Sequence, residues 1–79
     1  MNYPGNIIKV GSTNASAVIA IKQRLNNLNY AKLDISNPTF GYTMKAAIQS
    51  FQEKHQLLAD GVVGELTWER LFTDRKSVV

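Results

Sequence analysis

The sequence predicts a mainly α fold, a small three-helix bundle with one glycine turn before the second helix and another before the third. Three observations predict it. Two stripes of apolar residues recur at helical spacing, two glycine-led segments share one pattern, and a chain of 79 residues without cysteine has to hold a core without covalent staples.

Taken in order, Ile7, Ile8, Lys9 and Val10 form a short β-like segment that Gly11 ends. Ser12, Thr13 and Asn14 follow, and any of the three can accept from the free N–H groups of a first helical turn. Val18, Ile21, Leu25 and Leu28 then recur at helical spacing, which predicts the first helix over roughly residues 15 to 28. Asn26, Asn27 and Asn29 weaken its end. A polar connection of about ten residues, carrying Asp34, Ser36, Asn37 and Pro38, is longer than most and leans toward a ligand-facing surface.

The second helix starts after Phe40-Gly41, where Met44, Ala47, Ile48 and Phe51 form a stripe at i, i+3, i+4 and i+7, and it runs to about Gln56. Asp60-Gly61 is a strong turn dipeptide, because glycine tolerates positive φ and aspartate bonds back to its own backbone. Val62 and Val63 are expected to enter the core. A short third helix follows Gly64 and runs to about Phe72, burying Trp68 and Leu71, with Glu65 suited to the positive end of the helix dipole.

Aligned at an offset of 23 residues, FGYTMKAAI (40–48) and VGELTWERL (63–71) share an apolar residue, a glycine and a terminal apolar anchor. Each copy drops an apolar residue into the core, turns at a glycine and starts a helix. Gly41 and Gly64 are therefore read as architecture.

Composition excludes several classes. With 44% hydrophobic and 19% charged residues the chain is globular rather than disordered. The net charge of +3 includes Arg75 and Lys76 in the tail, and the largest other cluster is Lys22 with Arg24, so no stripe for a nucleic-acid backbone forms. MNYPGNIIKV has neither a basic leader nor an apolar span, so no export signal, and no membrane segment, is expected in this chain. The protein is a fragment of a longer one, or it reaches its target without a cleaved leader, as a phage or prophage lytic protein would.

Three blocks, in order and at nearly regular spacing, resemble the bacterial peptidoglycan-binding domain family, the three-helix module attached to many cell-wall hydrolases. Val18, Ile21 and Leu25 fill the first; Phe40, Gly41, Ala47, Ile48, Phe51 and Gln52 the second; Leu57, Asp60, Gly61, Val63, Gly64, Thr67, Trp68 and Leu71 the third. The chain departs from the pattern at Lys22 (usually glutamine), Met44 (threonine) and Gln56 (glycine). A left-handed Gln56 costs about 1 kcal/mol more than glycine. The resemblance divides the chain into an N-terminal extension (1–7), the domain (8–72) and a tail or linker (73–79).

Catalysis is not expected. His55 is the single histidine and has no cysteine or second histidine with which to build a zinc site. Glu65 and Glu69 share a helix face, but a helix this short walls no cleft for glycoside chemistry. Ser50 lacks a nucleophile turn. No cofactor or metal is implied.

The resemblance instead implies a monomeric, non-catalytic module that keeps a covalently linked or associated hydrolase on peptidoglycan, in the cell wall or outside the cell. Such a site needs an aromatic face, amides and carboxylates for hydroxyl and peptide groups, and a cation for stem-peptide carboxylates. Tyr42, in the first turn of the second helix, presents its ring outward or closes over the core. Gln52 follows the buried Phe51 and so is expected to lean off the core face, or else to bond a neighbouring loop. Asp60 forms the turn and can touch ligand as well. Trp68 packs mainly in the core with a wet indole edge, Tyr30 packs beyond the first helix, and Arg70 points outward where a carboxylate can meet it. Thr39 and Asn37 add polar groups on the loop. The alternative is a protein–protein or intramolecular docking module, since the same scaffold is similar to prodomains of some metalloproteases; a flat apolar patch favours it.

Overall fold

Helix formation follows the apolar spacing, and the ends are set by local hydrogen bonds. The computed structural model describes residues 3–72, so the expected tail lies outside the described residues. The element order is α1 (Ala15–Asn27), α2 (Tyr42–Lys54) and α3 (Glu65–Phe72). α1 opens where Asn14 Oδ1 accepts from Ala17 N–H at 3.2 Å, so the third of the three candidate caps is the one used.

α1 and α2 end by the same device. After α1, Asn29 takes φ +66° and Tyr30 N–H reaches back to Leu25 O at 2.9 Å. After α2, Gln56 takes φ +59° and Leu57 N–H reaches Gln52 O at 2.8 Å. Each is a left-handed residue just past the helix with the six-to-one hydrogen bond that closes it. Asparagine adopts this conformation readily, whereas glutamine carries the cost anticipated for its side chain.

The core lies where the three stripes meet. Val18, Ile21 and Leu25 of α1, Met44, Ile48 and Phe51 of α2, and Trp68 and Leu71 of α3 are buried, joined by Ile8, Phe40 and Val63 from the connections. Burying side chains of this size contributes about 1.5–3 kcal/mol apiece relative to exposure. The β-like segment pairs through a single antiparallel bridge, with Ile8 N–H on Val63 O at 3.0 Å and Val63 N–H on Ile8 O at 2.8 Å. Arg24 Nε donates to Leu71 O and so fastens α1 to the end of α3.

Two expectations need correction. Leu28, placed on the α1 stripe, is the residue that ends the helix and remains exposed. Gly41 and Gly64 do precede helices, but the turn does not depend on their lacking a side chain. Gly41 is extended (φ −102°, ψ −170°), and an added Cβ would meet nothing within 4 Å there and only Ile7 Cγ2, at 4.0 Å, at Gly64. Positive φ, which favours glycine, falls instead at Gly5, Gly11 and Gly61, and at Gly61 (φ +72°) Lys45 Cγ also lies 2.5 Å from where a Cβ would sit. Within the N-terminal extension, Tyr3 meets Trp68 edge-on, with ring centroids 6.0 Å apart.

Candidate functional site

Each end of α2 borders an open cleft, and each cleft has a buried polar side chain in its wall. At the C-terminal end this is Gln52. Counting from Met44, it occupies i+8, which returns to the buried stripe, and it is 1% exposed. Its Nε2 donates to Asp60 Oδ1 (3.0 Å), Val62 O (3.0 Å) and Thr67 Oγ1 (3.1 Å), while Oε1 accepts from Gly61 N–H (2.9 Å). One amide thus ties α2 to the Asp60-Gly61 turn and to α3. Asp60 Oδ1 also accepts from Val62 N–H at 3.0 Å, closing the turn on itself. The adjoining cleft, about 390 Å³, is bordered by Asp60, Gly64 and the exposed apolar residues Ile7, Leu58 and Leu66.

At the N-terminal end the buried polar residue is Lys22, 5% exposed. It stands at i+4 from Val18, inside the apolar stripe, and reaches past the core to the polar loop. Its Nζ donates to Asn37 O at 2.5 Å and to Asp34 O at 3.3 Å. Asn26 pins the same loop from the other side, its Nδ2 donating to Leu33 O (2.9 Å) and its Oδ1 accepting from Leu33 N–H (2.7 Å). The long connection is therefore held by two side chains of α1. It forms one wall of a cleft of about 310 Å³ whose other wall is the first turn of α2. Both clefts fall at the lower end of the volumes that hold small ligands.

Tyr42 stands at the edge of this second cleft and is 75% exposed, beside Thr39, Asn37 and Thr43. Of its two sequence-level alternatives, the structure gives the outward ring. Lys32 lies on the same cleft, and so does Asp34. The Asp34 carboxyl is held below the usual carboxylate range by the Ser36 hydroxyl (2.6 Å) and Ser36 N–H (3.0 Å), with the Lys22 charge assisting.

The remaining candidates scatter. Gln52 does not lean off the core; the helical period turns it inward. Trp68 is 2% exposed, because Tyr3 and Phe72 cover it, so the expected wet edge is absent. Tyr30 packs edge-on against Phe51 at 5.4 Å. Arg70 is exposed on α3, and its charge is felt at His55. His55 stacks on Phe51 at 4.2 Å, and desolvation there, then Arg70, lowers its pKa. Only Tyr42, with Thr39 and Asn37, shares the Lys22 cleft; Asp60 and Gln52 share the other. Sequence reasoning missed Lys22 as a site residue, although its place at i+4 in the stripe was a readable signal.

Among the described residues no group of three or more His, Cys, Asp or Glu gathers to hold a metal, and no helix is long and apolar enough to cross a membrane. Searches of curated proteins and of solved structures gave no match. A family model described as "Putative peptidoglycan binding domain" matches residues 14–71, which include α1, α2, nearly all of α3 and the residues of both buried polar anchors. With well over half of the chain matched, and three helices in the order the family pattern implies, the protein belongs to the peptidoglycan binding domain family.

Proposed function

We propose that this domain is a non-catalytic module that holds an attached or associated hydrolase against peptidoglycan, and that it grips the wall through the cleft at the start of α2. The observation that carries the reading is Tyr42. A large aromatic ring that is 75% exposed, at the edge of a cleft that Asn37, Thr39 and Thr43 also line, is suited to cover the apolar face of a sugar or a peptide. Hydroxyl and amide groups of Thr39, Thr43 and Asn37 supply hydrogen bonds alongside it. Each contact is weak, and tethering then raises the local concentration of a linked enzyme without tight binding.

The test is retention on purified insoluble peptidoglycan. The folded domain is expected in the pellet at low and moderate salt, and Tyr42→Ala is expected to release it. A wild-type domain that stays in the supernatant would remove the reading. A second reading, a docking module for a protein partner, is favoured by the other cleft, where Leu58 (79% exposed), Leu66 (64%) and Ile7 (50%) group on one surface. Leu58→Ser with Leu66→Ser separates the two: retention on peptidoglycan is expected to survive this pair of changes.

A further inference from the structure

We infer that the Asp60-Gly61 peptide is a latent modification site, where the Gly61 nitrogen can close on the Asp60 carboxyl to give a succinimide and then isoaspartate, and that the Gln52 amide keeps it shut. The inference concerns how long the corner joining α2 to α3 survives, whatever the domain binds.

The chemistry needs only the chain and water. With the carboxyl in its acid form, the Gly61 nitrogen attacks Asp60 Cγ, an N–C bond forms and a Cγ–O bond breaks. The departing hydroxyl and the N–H proton together leave as water. Water then opens the ring. Addition at Cγ restores aspartate, whereas addition at the former backbone carbonyl leaves isoaspartate, with the chain routed through Cβ and longer by a carbon. Glycine after aspartate favours the closure, because no Cβ shields the attacking nitrogen. Asp60-Gly61 is the single place in the sequence where aspartate or asparagine precedes glycine.

Geometry carries the inference, since every motion that closure requires is opposed by a contact of Gln52. The carboxyl must turn Cγ toward the nitrogen, but Asp60 Oδ1 is held by Gln52 Nε2 and by Val62 N–H, both at 3.0 Å. The nitrogen must give up its proton, but that N–H is buried and donates to Gln52 Oε1 at 2.9 Å. The peptide must rotate, but Val62 O on its far side is fixed by Gln52 Nε2 at 3.0 Å, and the Lys45 side chain lies against Gly61. Gln52 is itself 1% exposed, so water does not compete for its amide.

A second aspartate supplies the comparison. Asp34 Oδ1 accepts from Ser36 N–H, two residues on, just as Asp60 Oδ1 accepts from Val62 N–H. Asp34 is followed by Ile35, whose branched side chain shields the nitrogen. The two aspartates share the local turn, and the added clamp from α2 falls on the one that precedes glycine. Isoaspartate there would carry its carboxylate on Cα, out of register with Gln52 and Val62 N–H, and so would unfasten the turn from α2.

The experiment follows isoaspartate at residue 60 by peptide mapping and mass spectrometry at neutral pH, in wild type, Gln52→Leu, Thr67→Val and Ile21→Val. Rates are compared at equal unfolded fraction, measured by circular dichroism and set with urea or, for Gln52→Leu, with sucrose, which favours the compact state. Folded wild type is expected to isomerise at least about tenfold more slowly than the chain in urea. Ile21→Val loosens the core away from the turn, so its rate should follow its unfolded fraction. Gln52→Leu should run about tenfold faster than Ile21→Val, because the corner then opens without global unfolding. Thr67→Val touches the same amide but leaves Oε1 on Gly61 N–H, and should match Ile21→Val within about twofold. The isomerised product, separated by chromatography, should unfold at a lower urea midpoint.

The inference is overturned if folded wild type isomerises as fast as the chain in urea. It is overturned equally if Gln52→Leu and Ile21→Val coincide at equal unfolded fraction, which would assign the protection to the fold as a whole. An unchanged midpoint for the isomerised product would show that the corner does not depend on the Asp60 geometry.

Discussion

Near each end of α2 a polar side chain, Gln52 or Lys22, is buried at a position that the apolar stripe would normally assign to a hydrophobe, and the two differ in how their hydrogen bonds are made. Around Gln52, three acceptors surround two N–H groups and the carbonyl oxygen holds a backbone amide. Around Lys22, two carbonyls meet three donors. A saturated buried amide fixes geometry and has nothing left for a ligand. The buried Lys22 ammonium, held by two backbone carbonyls, fixes the loop that walls the other cleft.

The largest expected effect attacks the saturated end. Gln52→Leu keeps the volume but strands Gly61 N–H and leaves the Asp60 turn, Val62 O and Thr67 without their shared partner. A loss of about 3 kcal/mol is expected, at 1–3 kcal/mol for each buried group left unpaired. In a domain of this size that lowers the melting temperature by roughly 15 °C. Thermal and urea unfolding followed by circular dichroism checks it. A loss below roughly 0.5 kcal/mol would mean that the network is not what joins α2 to α3.

Tyr42→Ala probes the other end and should show the opposite profile. Stability is expected to change by less than about 0.5 kcal/mol, as for an exposed side chain. Affinity for insoluble peptidoglycan should fall about tenfold, the scale of one lost aromatic contact. If the variant unfolds early and binds normally, the contrast between the two ends is reversed.

A third change sharpens the comparison of helix ends. Gln56→Gly removes the left-handed strain at φ +59° and is expected to stabilise the domain by about 1 kcal/mol, read from the urea midpoint at unchanged slope. Asn29→Gly, at the matching position after α1, should give a smaller gain because asparagine already tolerates this conformation.

The smallest effect belongs to His55. Its pKa is lowered in the folded state by desolvation against Phe51 and by Arg70, so the unfolded chain binds the proton more readily. The contribution is therefore fully present above the unfolded value, near 6.5, and is lost as pH falls from there through the folded value. Partial exposure keeps it small. His55→Gln should flatten the pH dependence of the urea midpoint between roughly pH 7 and 5, and an unchanged slope would show that the stack contributes nothing to it.

The helices were legible because apolar spacing is a strong signal, and their ends came within two residues of expectation. The same period, followed one step further, would also have turned Gln52 and Lys22 inward, since i+8 from Met44 and i+4 from Val18 are core positions. Polarity outweighed period in reading them. The direction of Tyr42 was not legible, because the first turn of a helix offers both an inward and an outward face. The clefts were not legible either. They depend on where the 28–41 connection folds back, which Asn26 and Lys22 decide through hydrogen bonds to backbone carbonyls that leave no trace in side-chain pattern.

The Ile8 and Val63 bridge bears on the order in which the domain assembles. Its two hydrogen bonds close a loop that contains α1 and α2, so they can form only after those helices have brought their ends together. Since each residue both donates to and accepts from the other, the pair opens as one event. Native-state hydrogen exchange should therefore give the Ile8 and Val63 amides a common opening free energy, lower than that of mid-helix amides such as Ile48. Such a result would make the Ile8 segment a latch that opens without unfolding the helices, and equal protection of Ile8 and Ile48 would show that it opens only with them.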